Sequence, residues 1–430
     1  MTDLHARTVP LEYGPDALQF DGHPTVLFDR PGLTLVGWGT ALLVPAAGAA
    51  EVLSRIPCDD AVQRPGTGVV ALGALPFLAA MSGQLVVPRF SMGIARDMDG
   101  EVHRWATAVG AADEPLPSTD ELFDSVIWQY GASPDAAARP EVEVTDLTTP
   151  LTSQGYRDMA RNAVADMRAP DATLQKIVLS RAVTVSLSGP LLLSAVLRRM
   201  RAFEPHCAIF SMPVPNGTFF GATPELLMAR GARKIWCHPL AGTVSRGDTA
   251  REDADAQGRL AASAKEHAEH RFVVDDITAA LRPLCDDLTV PKEPSLVAFR
   301  SVAHLGTRIE GHLAAATSPP TVLDLVERVH PTPAVGGSPR AVALTAIAAA
   351  EPVPRGYWAG PVGWMDAQGD GEWMIGIRSA QLNLDGTAVT LHAGAGIVAD
   401  SDPAAEATET DVKLTTVLES LVPGGSARLR

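Results

Sequence analysis

The stretch AGPVGWMDAQGDGEWMIGIRSAQLNLDGTAVTLHAGAGIVA (359–399) decides the fold. Glycine turns divide it into three runs rich in β-branched and aromatic residues, AGPVGWMD, GEWMIGIRSAQLNL and AVTLHAGAGIVA. Such runs read as strands, and turns this tight require antiparallel neighbours. The segment that follows, from Pro403 onward, reads as a helix. It places Glu406, Glu409 and Lys413 at spacings of three and four, so all three share one face. That face is either a solvated ladder of salt bridges or half of a site.

Outward from this stretch the pattern mixes both periodicities. GYRDMARNAVADMRA (155–169) and LLLSAVLRRMRA (191–202) read as helices, and KIVLSRAVTVSL (176–187) as a strand. HCAIFSM (206–212) and GTFFGAT (217–223) form a hairpin, and one long polar helix runs from about Thr249 to Leu281. In the first third LTLVGW (33–38), ALLVP (41–45), GVVALGALPF (68–77) and GQLVVPRFSM (83–92) are strands. The class is therefore α+β with antiparallel sheets. The polar, proline-bearing ASPDAAARPEVEV (132–144) marks a seam, dividing the chain into 1–140 and 141–430.

The 430 residues are 46% hydrophobic and 20% charged, the profile of a globular chain. A net charge of −15 argues against nucleic-acid or anionic-membrane partners and requires a local cation for any anionic substrate. The four cysteines form no CxxC pair, so neither a zinc site nor a disulfide framework is expected. MTDLHARTVPLEYG has no signal-peptide pattern and no window is apolar enough to span a bilayer, which makes the cytoplasm the expected location.

Several short motifs carry reactive side chains. Lys176 opens its strand on the side of Val178 and Ser180, where it either guards an edge or, desolvated, serves as a base. In GATPELLMAR (221–230), Thr223, Pro224 and Glu225 have the order of a helix cap; alternatively an apolar setting keeps a proton on Glu225. Gly242 and Thr243 in HPLAGTVSRG (238–247) form a small-residue turn whose N–H groups can meet a carboxylate. SAKEHAEHRFVVDDI (263–277) stacks Glu266 with Glu269, and His267 with His270, as a solvated face or a hard-cation site. SVAHLGTRIEG (301–311) carries His304, and Arg378 on its strand suits bidentate carboxylate binding.

Taken in order, KIVLSRAV, ATPELL, PLAGT, KEHAEH, HLGTRIEG, HPTPAVGG, GPVGW, GDGEW and GAGIVADSDPAAEATETDVK resemble the chorismate-utilising enzymes, and among them the isochorismate synthases. The resemblance covers about 250 residues. It implies one large α+β unit with helices outside extended antiparallel sheets and the site between, so that the seam near residue 140 divides subdomains.

For the chemistry, the resemblance implies an isomerase that needs Mg²⁺: water adds at C2 of chorismate and the C4 hydroxyl leaves. Lys176 matches the general base and Glu225 the acid. Glu269 and Glu409 match metal ligands, with Glu406 a further ligand through water and Lys413 a charge-balancing neighbour. Gly242, Thr243, Arg378 and Gly394 match positions that hold the substrate carboxylates, and His304 lines the same pocket. Trp358 stands where the family usually has tyrosine or phenylalanine. Relatives that eliminate pyruvate to give salicylate tend to carry threonine where this chain has Ala334. Relatives that use ammonia typically lack the lysine, so a monomer without a glutamine amidotransferase subunit is expected. Salicylate formation is the alternative activity, and a non-catalytic chorismate-binding subunit is disfavoured by the complete set of Lys176, Glu225, Glu269 and Glu409.

Overall fold

The computed structural model describes residues 3–13, 24–97, 99–118, 120, 121, 142–247 and 249–425. Most of the seam at 132–144 lies outside the described residues. The described residues fold as two large sheets, of 13 and nine strands, with a three-stranded sheet beside them. Among them all strand pairings are antiparallel except that of Leu4–Pro10 with Cys58–Asp60. The α+β class expected from the glycine-turned strands is what the chain adopts. Both large sheets contain strands from before and after residue 140, each set forming one contiguous block.

The two sheets pack face to face. Val26, Phe28, Leu35 and Phe210 of the larger sheet share one buried cluster with Val70, Leu72, Trp364 and Met374 of the smaller. Helices cover the outer faces, with Val273 and Ile277 on the smaller sheet, and Val196, Leu197, Leu414 and Leu418 on the larger. Burying an apolar stripe of a helix against one face of a sheet is the arrangement that removes both from water.

Lys176–Leu187 pairs along its length with Ala388–Val398. Alternation divides the two faces of this pair. Ile177, Leu179 and Ile397 point toward Tyr156, Ala160 and Val164 of helix Ser153–Arg168. The other face carries Lys176, Val178 and Ser180, opposite Val398, Gly396 and Gly394. Two glycines without side chains leave that face open, and it becomes the floor of a cavity.

Four expectations change. ATPELL does not start a helix: Gly217–Thr223 ends in the larger sheet, Leu226–Gly231 belongs to the smaller, and Pro224 and Glu225 bridge them. GEWMIGIRSAQLNL is two strands, Gly371–Ile375 in the smaller sheet and Ser379–Leu382 in the larger. Arg378 therefore lies in the crossing rather than on a strand, at φ +49°. The long polar helix is two, Ala250–Ala262 and Ala264–Leu281, because Ser263 has extended dihedrals and its hydroxyl caps the second by accepting from the Glu266 N–H. Lys176 does not guard an edge, since strands flank it on both sides and its side chain is fully buried.

Candidate active site

The two crossings between sheets lie side by side. Ile375 N–H donates to Glu225 O at 3.0 Å and Ala222 N–H to Arg378 O at 3.1 Å. Locking these segments together sets Glu225 and Arg378 into one cavity of about 800 Å³, part of which is open to solvent. Its walls include Glu225, Gly242, Thr243, Glu269, His304, Ala334, Trp358, Arg378, Gly394, Glu409 and Lys413. Of the residues to which the resemblance gives a role, Lys176 and Glu406 do not line it.

Lys176 stands just behind the wall. Its Nζ is 3.0 Å from Glu269 Oε1, an ion pair in which neither partner is more than slightly exposed. Among the described residues Nζ meets no acceptor at hydrogen-bonding angles. Burial alone would raise the Glu269 carboxyl, yet the positive charge of Lys176 holds it below its ordinary value. Gly396 makes this contact possible, because a Cβ there would sit 2.2 Å from Glu269 Oε1. Gly396→Ala is therefore expected to push the Glu269 carboxylate aside and loosen its pairing with the fully buried Lys176, because the obstructed atom ends a flexible side chain. A thermal midpoint below that of the parent, by less than outright loss of the pair would give, with at least tenfold slower turnover is the expected result.

Glu225 is the contrasting carboxyl. It is buried, and desolvation pushes it up to about 7 despite a backbone N–H from Leu240 and the charges of Lys176, Lys413 and Arg378. Two carboxyls in one cavity thus have opposite tendencies at neutral pH: Glu269 holds its charge and Glu225 holds its proton.

The Gly242–Thr243 turn, His304 and Arg378 form a connected wall. Thr243 lies opposite His304 in the small sheet. Arg378 Nη2 donates to His304 Nε2 at 2.9 Å. An arginine can only donate, so Nε2 accepts and the ring proton sits on Nδ1, which lies 3.2 Å from Gly242 O and 3.1 Å from Thr243 Oγ1. Burial, with Arg378 and Lys413 nearby, keeps this imidazole neutral by lowering it well below its ordinary value. The Arg378 guanidinium also covers the Phe299 ring at 4.7 Å.

Helix Pro403–Leu421 presents Glu406, Glu409 and Lys413 as its spacing predicts. Lys413 Nζ forms an ion pair with Glu409 Oε1 at 2.7 Å and donates to Gly394 O at 2.9 Å. Glu406, nearly buried, turns to Lys265 instead, at 2.8 Å. Burial and the neighbouring Glu409 raise the Glu406 carboxyl to about 7.

Four residues of this region have no role in the resemblance, and of them only Glu266 is read from sequence, as part of a solvated face or hard-cation site. Glu266 accepts from Thr243 N–H at 3.1 Å, and its carboxyl is raised by burial and by Glu269. Lys265 joins Glu266 to Glu406. Gly396 makes room for Glu269, and His392 stacks on Trp358 with ring centroids 5.6 Å apart. Alternation along HAGAG, two residues per repeat from Gly394, was enough to place His392 and Gly396 on the cavity face. For Glu266 the signal was its three-residue spacing from Glu269.

Glu266, Glu269, Glu406 and Glu409 form an all-oxygen donor set, which suits a hard cation, and their mutual repulsion favours one. Lysines space them apart. Among the described residues the one group with three ligand atoms within 4.8 Å of each other is Asp97, Glu101 and His103, where Arg64 already holds Asp97.

Residues 47–422 match the family model described as chorismate binding enzyme. The chain is 40% identical over 434 residues to the isochorismate synthase DhbC of Bacillus subtilis (strain 168), covering 98% of this chain and 97% of that relative. Its fold is similar to the crystal structure of DhbC from Bacillus anthracis, with a TM-score of 0.74 and 29% identity over 95% of this chain and 97% of that one. It is also similar in fold to MenF, the menaquinone-specific isochorismate synthase of Escherichia coli. There the TM-score is 0.80 at 24% identity, over 97% of this chain and 94% of that one. With the family model spanning both sheets and the whole cavity, the chain belongs to the chorismate-binding enzyme family.

Proposed function

We propose that the protein is an isochorismate synthase that requires Mg²⁺, converting chorismate to isochorismate. The observation that carries this reading is the pair of unlike carboxyls in one cavity: Glu225 protonated near neutrality, and Glu269 ionised beside Lys176. A displacement in which water attacks C2 while the C4 hydroxyl departs needs one group to accept a proton and another to supply one. Lys176, once it has passed the proton of its ion pair with Glu269 to bulk water, takes a proton from the attacking water. Glu225 gives its proton to the leaving hydroxyl, which departs as water, so one water enters and one leaves. Arg378 and the N–H groups of the Gly242–Thr243 turn hold the substrate carboxylates. Trp358 stacks on His392 and shapes the wall beside them.

Mg²⁺ held by Glu269 and Glu409, with Glu406 and Glu266 close by, would supply positive charge for a carboxylate of a dianionic substrate. The relatives' names support the same activity, and lysine as base favours water over ammonia, so no amidotransferase subunit is needed. Among the described residues no helix is long and apolar enough to cross a membrane; we place the enzyme in the cytoplasm. Incubating the purified chain with chorismate and Mg²⁺ is expected to yield isochorismate without pyruvate. Salicylate together with pyruvate would replace this reading with the salicylate alternative, to which Ala334 is the relevant position. No turnover with water or ammonia would leave a chorismate-binding subunit.

A further inference from the structure

Lys265 occupies an unfavourable place for a cation. It is the second residue of helix Ala264–Leu281, where the backbone dipole opposes positive charge. Its Nζ lies 2.8 Å from Glu406 Oε1 and 3.4 Å from Glu266 Oε1, so one ammonium bridges carboxylates from two helices. The attraction of these carboxylates outweighs burial and raises the lysine above its ordinary value. Glu266 is also diverted from its local role. At the third position after a capping serine it would usually fold back on the Ser263 N–H, yet it reaches Thr243 N–H instead. Neither placement follows from what makes a stable helix start. Both follow from the carboxylate cluster.

Resting on the Mg²⁺ reading above, we infer that Lys265 is an exchangeable stand-in cation for that cluster. It holds Glu406 and Glu266 in place when the metal is absent and competes with the metal for them. The exclusion is electrostatic. Mg²⁺ held by Glu269 and Glu409, with Glu406 reached through water, would lie beside the ammonium that pairs with Glu406 and Glu266, and two cations sharing one carboxylate cluster repel, so the lysine swings out as the metal enters. Its one-third exposed side chain gives it room to do so. Lys176 and Lys413, paired with Glu269 and Glu409, remain. The lysine thereby sets the metal concentration at which the site fills.

The test is direct metal binding, with no substrate present. Mg²⁺ titrated calorimetrically into the parent protein and into Lys265→Met is expected to bind the variant on the order of tenfold more tightly, the scale at which neighbouring groups tune metal affinity. The metal-free variant is expected to melt at a lower temperature than the parent, and saturating Mg²⁺ should close that gap. Lys265→Gln, which keeps a hydrogen-bond donor without the charge, repeats the measurement if the methionine variant does not fold. Equal or weaker Mg²⁺ binding by the variant that folds would overturn the stand-in role while leaving the metal site intact. No Mg²⁺ binding by the parent would instead remove the metal reading, and the inference with it.

Discussion

Glu225→Gln is expected to lower turnover of chorismate by about 10²–10⁴-fold, the contribution typical of a positioned general acid, with the fold intact. Glutamine preserves the shape of the side chain at the crossing between the sheets but has no proton to give. The parent is expected to lose kcat/KM as pH rises past about 7, because the raised Glu225 carboxyl then ionises. The residual rate of the variant lacks that limb. A stability effect with a definite sign accompanies this. A carboxyl whose folded pKa exceeds its unfolded value binds more protons when folded, so its contribution is fully present below about 4.5 and is lost as pH rises toward 7. Thermal melts of the variant should therefore fall less steeply than those of the parent across that window. Near-normal turnover in the variant would end the assignment of Glu225 as the acid.

The same residue shows where sequence reasoning stops. Thr223, Pro224 and Glu225 have the composition of a capped helix start, and local propensity alone cannot tell this from a chain crossing between two sheets. Long-range partners decide it: Thr223 Oγ1 donates to Ile375 O, and Ile375 N–H donates to Glu225 O. Arg378 is the companion case. Its run has unbroken strand character, yet Gly376 through Arg378 changes sheets because the partner of Gly371–Ile375 ends there. By contrast the 12 residues from Lys176 to Leu187 were legible end to end, because a run of that length rich in Val, Ile and Thr and bounded by turn residues is a strong strand signal. The break at Ser263 was also in principle legible. SAKE has the serine and the glutamate of a helix start, but an amphipathic pattern continuing through it masks the signal.

For the cavity, alternation and helical spacing put residues on faces but do not say which face meets which. Glu406, Glu409 and Lys413 were placed on one face before anything was known of helix Ala264–Leu281. Their division into two ion pairs, with Lys413 on Glu409 and Lys265 on Glu406, depends on how the helices approach each other. The buried neutral state of His304 likewise depends on an arginine 74 residues away in sequence. Charge partners of this kind are properties of the tertiary fold, which is why the donor set was legible in outline and its wiring was not.

Lys176→Met is expected to remove turnover to a similar or greater extent than Glu225→Gln, and it perturbs the protein in a second way that must be separated from chemistry. The parent buries Lys176 completely against a Glu269 carboxylate that is almost as enclosed. Removing one partner of a buried pair leaves the other charge uncompensated, which costs about 3–5 kcal/mol. The Glu269 carboxyl, held below its ordinary value by the lysine, stabilises the parent above about pH 4.5, and that contribution fades as pH falls through its folded value. The stability gap between parent and Lys176→Met should therefore be widest near neutrality and narrow on acidification, where the variant's Glu269 becomes protonated. Adding Glu269→Gln to Lys176→Met removes the orphaned charge and is expected to recover most of the lost stability in urea unfolding. Because Glu269 also stands as a metal ligand, the double variant isolates the stability cost, and the base role is read from Lys176→Met itself under conditions where it is fully folded. Near-normal turnover there would show that the lysine serves only to neutralise Glu269, and the proton from the attacking water would then need another acceptor in the cavity.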